Sequence, residues 1–237
     1  MFLAIEHPDL GWILCDTGYG DSFFKATRRF PDRLYRWATP VTLRGTAASA
    51  LRAIGVCPEN VRHIVITHFH ADHVGGLHEF PSAQLHYHEE ALSPLQACTA
   101  FAQTKAAFLP DLVPADCGER SRVVPHDAFK TRSGFPFRVC DLFGDGSITL
   151  VELPGHAPGQ VGLEFETVAG KILYCADAFW RSTQVRERVN LPRPVRALQW
   201  NPTAYQQTLE ALRDLEQQGS HRLIACHDDA TQQYVTT

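Results

Sequence analysis

Thr67-His68-Phe69-His70-Ala71-Asp72-His73-Val74-Gly75-Gly76 sets three imidazoles and a carboxylate within six residues. Polar groups held out of water need partners, and a set this dense is economically satisfied by a bound cation. The residues before it, Val61-Arg62-His63-Ile64-Val65-Ile66, are β-branched and apolar, which predicts a buried strand running straight into the cluster. Beyond the strand, His68 and His70 keep the two-residue alternation and point to one side. Asp72 and His73 fall where the chain is expected to turn into a short helix after Gly75-Gly76. One loop can therefore serve two adjacent ions, with His68 and His70 facing the first and Asp72 and His73 the second.

Around this loop lies a chain of 237 residues, long enough for one large domain with a sizeable core. Its apolar fraction of 44% is ordinary for a globular protein. A net charge of -4 gives no electrostatic reason to expect nucleic acid and disfavours a nuclease. The seven cysteines are odd in number and contain no C-x-x-C pair, and several sit in apolar runs such as Trp12-Ile13-Leu14-Cys15. Reduced core thiols, a soluble chain and a cytoplasmic setting are expected, because neither a leader pattern nor a membrane-length apolar run is present in the sequence.

The pattern H-x-H-x-D-H after a buried strand resembles the metallo-β-lactamase superfamily of hydrolases, and other segments extend the likeness in the family's order. Residues 1–7 and 12–15 read as a hairpin about Pro8-Asp9-Leu10-Gly11. It ends in Asp16-Thr17-Gly18, similar to the family's D-T-G, where the Asp supports the site rather than ligating; a simple Asx turn is the alternative. Relatives commonly carry strands ahead of this hairpin, so either an edge strand is lacking or the natural start lies upstream. Residues 20–40 hold aromatic and basic side chains without a clean period and are expected to be a loop with some helix. Residues 42–54 carry apolar positions at helical spacing, with Gly55 as the stop. Residues 84–88 read as a strand in which His86 and His88 are not expected to be ligands. The segment around 98–127 is expected to be a lid, irregular from 108 onward.

Further strands at residues 137–140, 148–153, 161–165, 171–175 and 222–226, and an amphipathic helix at 203–218, complete the chain. Three of these strands deliver candidate groups at their ends. By resemblance, Pro154-Gly155-His156-Ala157-Pro158-Gly159 matches P-G-H-x-P-G and supplies His156 to the first metal. Asp177, in Cys175-Ala176-Asp177-Ala178, matches the bridging aspartate, and His227, in Cys226-His227-Asp228, the last histidine of the second metal. The likeness thus implies an α+β fold, the four-layer αβ/βα sandwich. It also implies one ion on His68, His70, His156 and Asp177 and another on Asp72, His73, His227 and Asp177. Mixed imidazole and carboxylate ligation suits zinc, with iron, manganese and cobalt as alternatives. Two such ions about 3.5–4 Å apart lower the pKa of a shared water from roughly 16 toward about 7, and Asp72 is the expected proton carrier.

Within the family, His70 stands where the flavodiiron branch has Glu, and true β-lactamases lack the Asp177 carboxylate. The run Asp141-Leu142-Phe143-Gly144-Asp145-Gly146-Ser147 resembles the N-acyl homoserine lactonases. Two positions depart from that branch: Gln160 replaces a frequent histidine, and Trp180 replaces a tyrosine whose hydroxyl polarises the lactone. The expected function is a dinuclear metal hydrolase of a small ester-like bond, a lactone first, with a small molecule as its partner and neither nucleic acid nor membrane. A glyoxalase II-like thioesterase and a mononuclear iron sulfur-dioxygenase are the alternatives on the same fold.

Overall fold

The computed structural model describes residues 1–168 and 170–228 and divides into two compact units, Met1–Val124 and Pro125–Thr237. In the first, β1 (Leu3–His7) and β2 (Gly11–Cys15) form the expected antiparallel hairpin, with Leu3 opposite Cys15. Then come α1 (Asp21–Ala26), α2 (Arg33–Ala38), α3 (Ala47–Ala53), β3 (Val61–Val65), α4 (Ala71–Val74) and β4 (Gln84–His88). The unit closes with α5 (Ser93–Gln96), α6 (Ala100–Lys105), α7 (Cys117–Arg120) and β5 (Ser121–Val124). Its sheet has the order β1-β2-β3-β4-β5, parallel from β2 onward. Leu14, Ile64 and Leu85 from its strands are fully buried in one core with Ala48, Val74, Leu77 and Phe80.

Several boundaries differ from expectation for local reasons. The helix expected over 42–54 starts only at Ala47, because the Thr46 side chain accepts from Ser49 N and fixes the N-cap there. Gly55 at φ +82 stops it as expected. Residues 20–40 contain two helices, more order than their irregular pattern suggested. The short helix of the motif loop precedes the glycines instead of following them: α4 carries Asp72 and His73 and is N-capped by His70. Gly75 and Gly76 are required by close approach, since a Cβ on them would meet Gly18 O at 3.0 Å and Thr17 O at 2.8 Å. Residues 121–124, expected to be irregular, are the strand β5, too short and too exposed at the sheet edge to show a pattern.

The second unit holds β6 (Lys130–Thr131), β7 (Arg138–Asp141), β8 (Ile148–Glu152), β9 (Val161–Thr167), β10 (Gly170–Tyr174), α8 (Ser182–Arg186), α9 (Arg193–Arg196), α10 (Pro202–Gln218) and β11 (Arg222–Ile224). Its sheet has the order β11-β10-β9-β8-β7-β6, antiparallel except for the β10–β11 pair. The amphipathic face of α10 buries Tyr205, Leu209, Leu212 and Leu215 with Val151, Leu153, Leu173 and Leu223 of the strands. Asp141 organises the tight turn between β7 and β8, its two oxygens accepting from Gly144 N at 2.9 Å and Gly146 N at 2.8 Å. Among the described residues, no helix is long and apolar enough to cross a membrane.

Candidate metal centre

Each candidate ligand leaves a strand end. His68 follows β3, His156 follows β8, Asp177 follows β10 and His227 follows β11. In the first unit the four motif residues form one packed cluster. The His68 ring lies 4.4 Å from His70 and 4.0 Å from His73, centroid to centroid, and Asp72 Oδ2 is 3.7 Å from His73 Nε2.

Asp16 holds this cluster in place. It sits at the end of β2 in the left-handed region, φ +61, and is fully buried. Its Oδ1 accepts from Thr67 N at 2.8 Å, and its Oδ2 accepts from Thr67 Oγ1 at 2.8 Å and pairs with His73 Nδ1 at 2.7 Å. Thr67 has one hydroxyl proton, so with that proton given to Asp16 its oxygen accepts from His68 Nδ1 at 3.0 Å. A single carboxylate therefore fixes the tautomer of two imidazoles and makes Nε2 the ligating nitrogen of each. Of the two readings of D-T-G, the supporting group is the one this geometry bears out.

In the second unit, His156 follows Gly155, whose φ of +128 and close approach to α10 leave no room for a side chain: a Cβ would stand 2.1 Å from Tyr205 N. Gln199 supports the imidazole. Its Nε2 donates to Val195 O at 3.1 Å, which turns Oε1 toward His156 Nδ1 at 2.7 Å. As with His68 and His73, the outward nitrogen is Nε2. It lies 3.3 Å from Asp177 Oδ2, and His227 Nε2 lies 3.3 Å from that same oxygen. The other carboxylate oxygen of Asp177 accepts from the buried Cys226 thiol.

Trp180 stands between the two imidazoles, its ring 6.3 Å from both His156 and His227. Gln184 anchors it by accepting from Trp180 N at 2.8 Å, while its indole N–H is buried without a hydrogen-bond partner among the described residues. Gln160 is buried and donates to Leu153 O at 3.1 Å, a structural tie across the P-G-H turn. His86 pairs with His63 at 3.1 Å, and burial, with His63 and Arg122 adding to it, pushes its pKa down to about 4.

Three groups that act here carry no sequence signal of their role. Thr67 stands inside the motif with nothing to mark its hydroxyl, Gln199 lies 43 positions from its partner with no motif around it, and Cys226 reads as an ordinary core thiol. The chemistry of the donors fits a metal: three imidazoles have Nδ1 committed to oxygen partners, and one carboxylate oxygen faces two imidazole nitrogens.

Strand-end histidines and carboxylates on two such sheets define a metal-binding α+β protein. The family model for the metallo-β-lactamase superfamily matches residues 3–227, and the chain belongs to that superfamily. It is 31% identical over 202 residues to the probable metallo-hydrolase Rv2300c of Mycobacterium tuberculosis, covering 82% of this chain and 61% of that protein. It is 30% identical over 115 residues to the N-acyl homoserine lactonase AttM of Rhizobium radiobacter, covering 48% of this chain and 39% of that one. AidC, a dizinc quorum-quenching lactonase solved with a homoserine product, shares the fold at a TM-score of 0.65 and 16% identity, covering 96% of this chain and 72% of its own. The chain spans about three fifths of the length of the first curated relatives it matches.

Proposed function

We propose that this chain is a dinuclear metal-dependent hydrolase of a small ester-like bond, with a lactone such as an N-acyl homoserine lactone as its substrate class. His68, His70, His156 and Asp177 would hold one ion, and Asp72, His73, His227 and Asp177 the other. The observation that carries a metal at these strand ends is the Asp177 carboxylate, whose Oδ2 lies 3.3 Å from the Nε2 atoms of two different histidines, and the pair of ions draws its support from the family's motif order. Zinc suits this donor set, with iron, manganese or cobalt as alternatives.

Bound there, the ions would acidify water and polarise an acyl carbonyl. The protein's own part is to hold the imidazoles in one tautomer through Asp16, Thr67 and Gln199, and to carry a proton. Asp72 suits the second of these roles. Its side chain is only 15% exposed, on the first turn of α4, and it can take a proton from water and return it to the leaving oxygen. The lactone assignment draws support from the likeness to AttM and AidC, while Trp180 offers an indole N–H in place of the branch's phenol.

Metal analysis of the purified chain should give about two ions per chain, and His68→Ala should lose both metal and hydrolysis. Well under one ion per chain, or full esterase activity in His68→Ala, overturns the proposal. A panel of lactones, thioesters and a persulfide with oxygen uptake separates the lactonase from the thioesterase and dioxygenase alternatives.

A further inference from the structure

The stretch Lys25-Ala26-Thr27-Arg28-Arg29-Phe30-Pro31-Asp32-Arg33-Leu34-Tyr35-Arg36-Trp37 has no part in the metal chemistry above, yet it holds five cations and one acid in a chain of net charge -4. Its structure sorts these residues by face. Tyr35 points inward, with its hydroxyl 3.3 Å from that of Tyr19 and its ring 6.0 Å from Phe23. Burial, and after it the Asp72 carboxylate, push the Tyr35 pKa up, so α2 lies within electrostatic reach of the motif loop in the same unit. The acid is occupied: Asp32 Oδ1 accepts from Thr104 Oγ1 at 2.6 Å, which ties α2 to α6.

Ala26 and Thr27 are buried as well, while the cations and the larger apolar side chains face solvent. Arg28, Arg29, Arg33 and Arg36 are exposed, and between them stand Phe30 at 74%, Leu34 at 36% and Trp37 at 75% exposure. Phe101, on the tied helix α6, is 58% exposed. Scattered single apolar side chains are normal on a surface, but here Phe30, Leu34 and Trp37 are interleaved with four guanidinium groups along α2 and the turn before it, with Phe101 on the tied helix α6. Arg33 lies 6.0 Å from the Trp37 ring centroid, so charge and ring are offered together.

We propose that this α2 face docks the protein on an anionic lipid bilayer surface, the arginines meeting headgroups while Phe30, Leu34, Trp37 and Phe101 enter the interface. This combination of cations with tryptophan, phenylalanine and leucine is what interfacial anchoring requires. Two other occupants fit less well. A second copy joined about a two-fold axis would set the same arginines against each other. A nucleic acid would use the charges but leave the aliphatic Leu34 without a purpose, and the rest of the chain is acidic. The inference does not depend on which substrate the metal centre takes.

Flotation of the full chain with vesicles tests it, using phosphatidylglycerol mixed into phosphatidylcholine against phosphatidylcholine alone, at low and high salt. Wild type should float with the anionic vesicles, more at low salt, and not with the neutral ones. Arg33→Gln/Arg36→Gln should weaken that partition by roughly twenty-five-fold, about fivefold for each arginine. Trp37→Ala should weaken it at both salt concentrations, whereas loss only at low salt would overturn insertion of the ring. All these side chains are exposed, so circular dichroism and hydrolysis of a soluble ester should be unchanged. Failure to float at low salt, equal flotation with neutral vesicles, a dimer that Trp37→Ala dissociates in the absence of vesicle binding, or single-stranded RNA binding in its place would each overturn the proposal.

Discussion

The candidate ligands fall into two halves, one in each unit, that are built in opposite ways. In the first unit, four groups come from one loop of six residues, and a single carboxylate, Asp16, braces two of them, His73 directly and His68 through Thr67. In the second, three groups come from three separate strand ends, and each relies on a different neighbour: Gln199 for His156, Cys226 for Asp177, and the shared oxygen for His227. A contiguous set concentrates its support in one place, whereas a dispersed set spreads it. The first half should therefore fail sharply at one supporting residue and the second gradually at several.

The largest effect should come from the carboxylate common to both proposed ions. Asp177→Ala should drop metal content to about one ion per chain or less and lower kcat by roughly a thousandfold, the scale of removing a group that steadies charge in the transition state. Metal analysis beside steady-state kinetics checks it, and retention of two ions would break the idea of a shared bridge. Gly155→Ala should come next, through stability. Its positive φ and the 2.1 Å approach to Tyr205 N together should cost roughly 2–4 kcal/mol in denaturant unfolding.

The supporting residues then test the contrast itself. Asp16→Asn should weaken metal affinity by about ten- to a hundredfold in chelator competition, because it disturbs two imidazoles at once. Gln199→Ala removes one neutral bond and should sit at the bottom of that range, near about tenfold. Equal effects would erase the distinction between concentrated and dispersed support.

The smallest effect is expected away from the centre, at Glu164. Burial alone would raise its pKa, but the paired Arg132 at 2.7 Å and His221 at 2.8 Å outweigh it and hold the carboxyl below the ordinary range. With a depressed folded-state pKa, its contribution is full above the ordinary carboxylate range and is lost as pH falls through the folded value. Glu164→Gln should flatten the acid limb of a stability-against-pH curve, and an unchanged limb would count against the pairing.

How much of this was legible in the sequence follows the same division. The H-x-H-x-D-H loop announces itself because its groups are neighbours along the chain, and the α10 face because its leucines keep a helical period. His156, Asp177 and His227 needed the family's motif order, since nothing in a lone strand-end residue says where the other strands finish. Gln199 and Thr67 were silent because a hydrogen bond across 43 positions, or a hydroxyl serving two partners, leaves no periodic trace. The strand β5 was invisible for an energetic reason: four residues at a sheet edge, only Val124 of them buried, are held by backbone ladder bonds rather than by an apolar pattern.

One alignment in the first sheet reaches further than its size suggests. Parallel pairing of β2 with β3 sets Cys15 level with Val65, and the next bond, Asp16 N to Val65 O at 2.8 Å, carries the match past the strand ends. Sliding β3 by a single residue would turn Thr67 away from Asp16 and swing two imidazoles with it. The sheet's hydrogen-bond ladder thus works as a ruler for the ligands, so changes in the turn over residues 57–60 should reach metal affinity without touching any residue that could bind the metal.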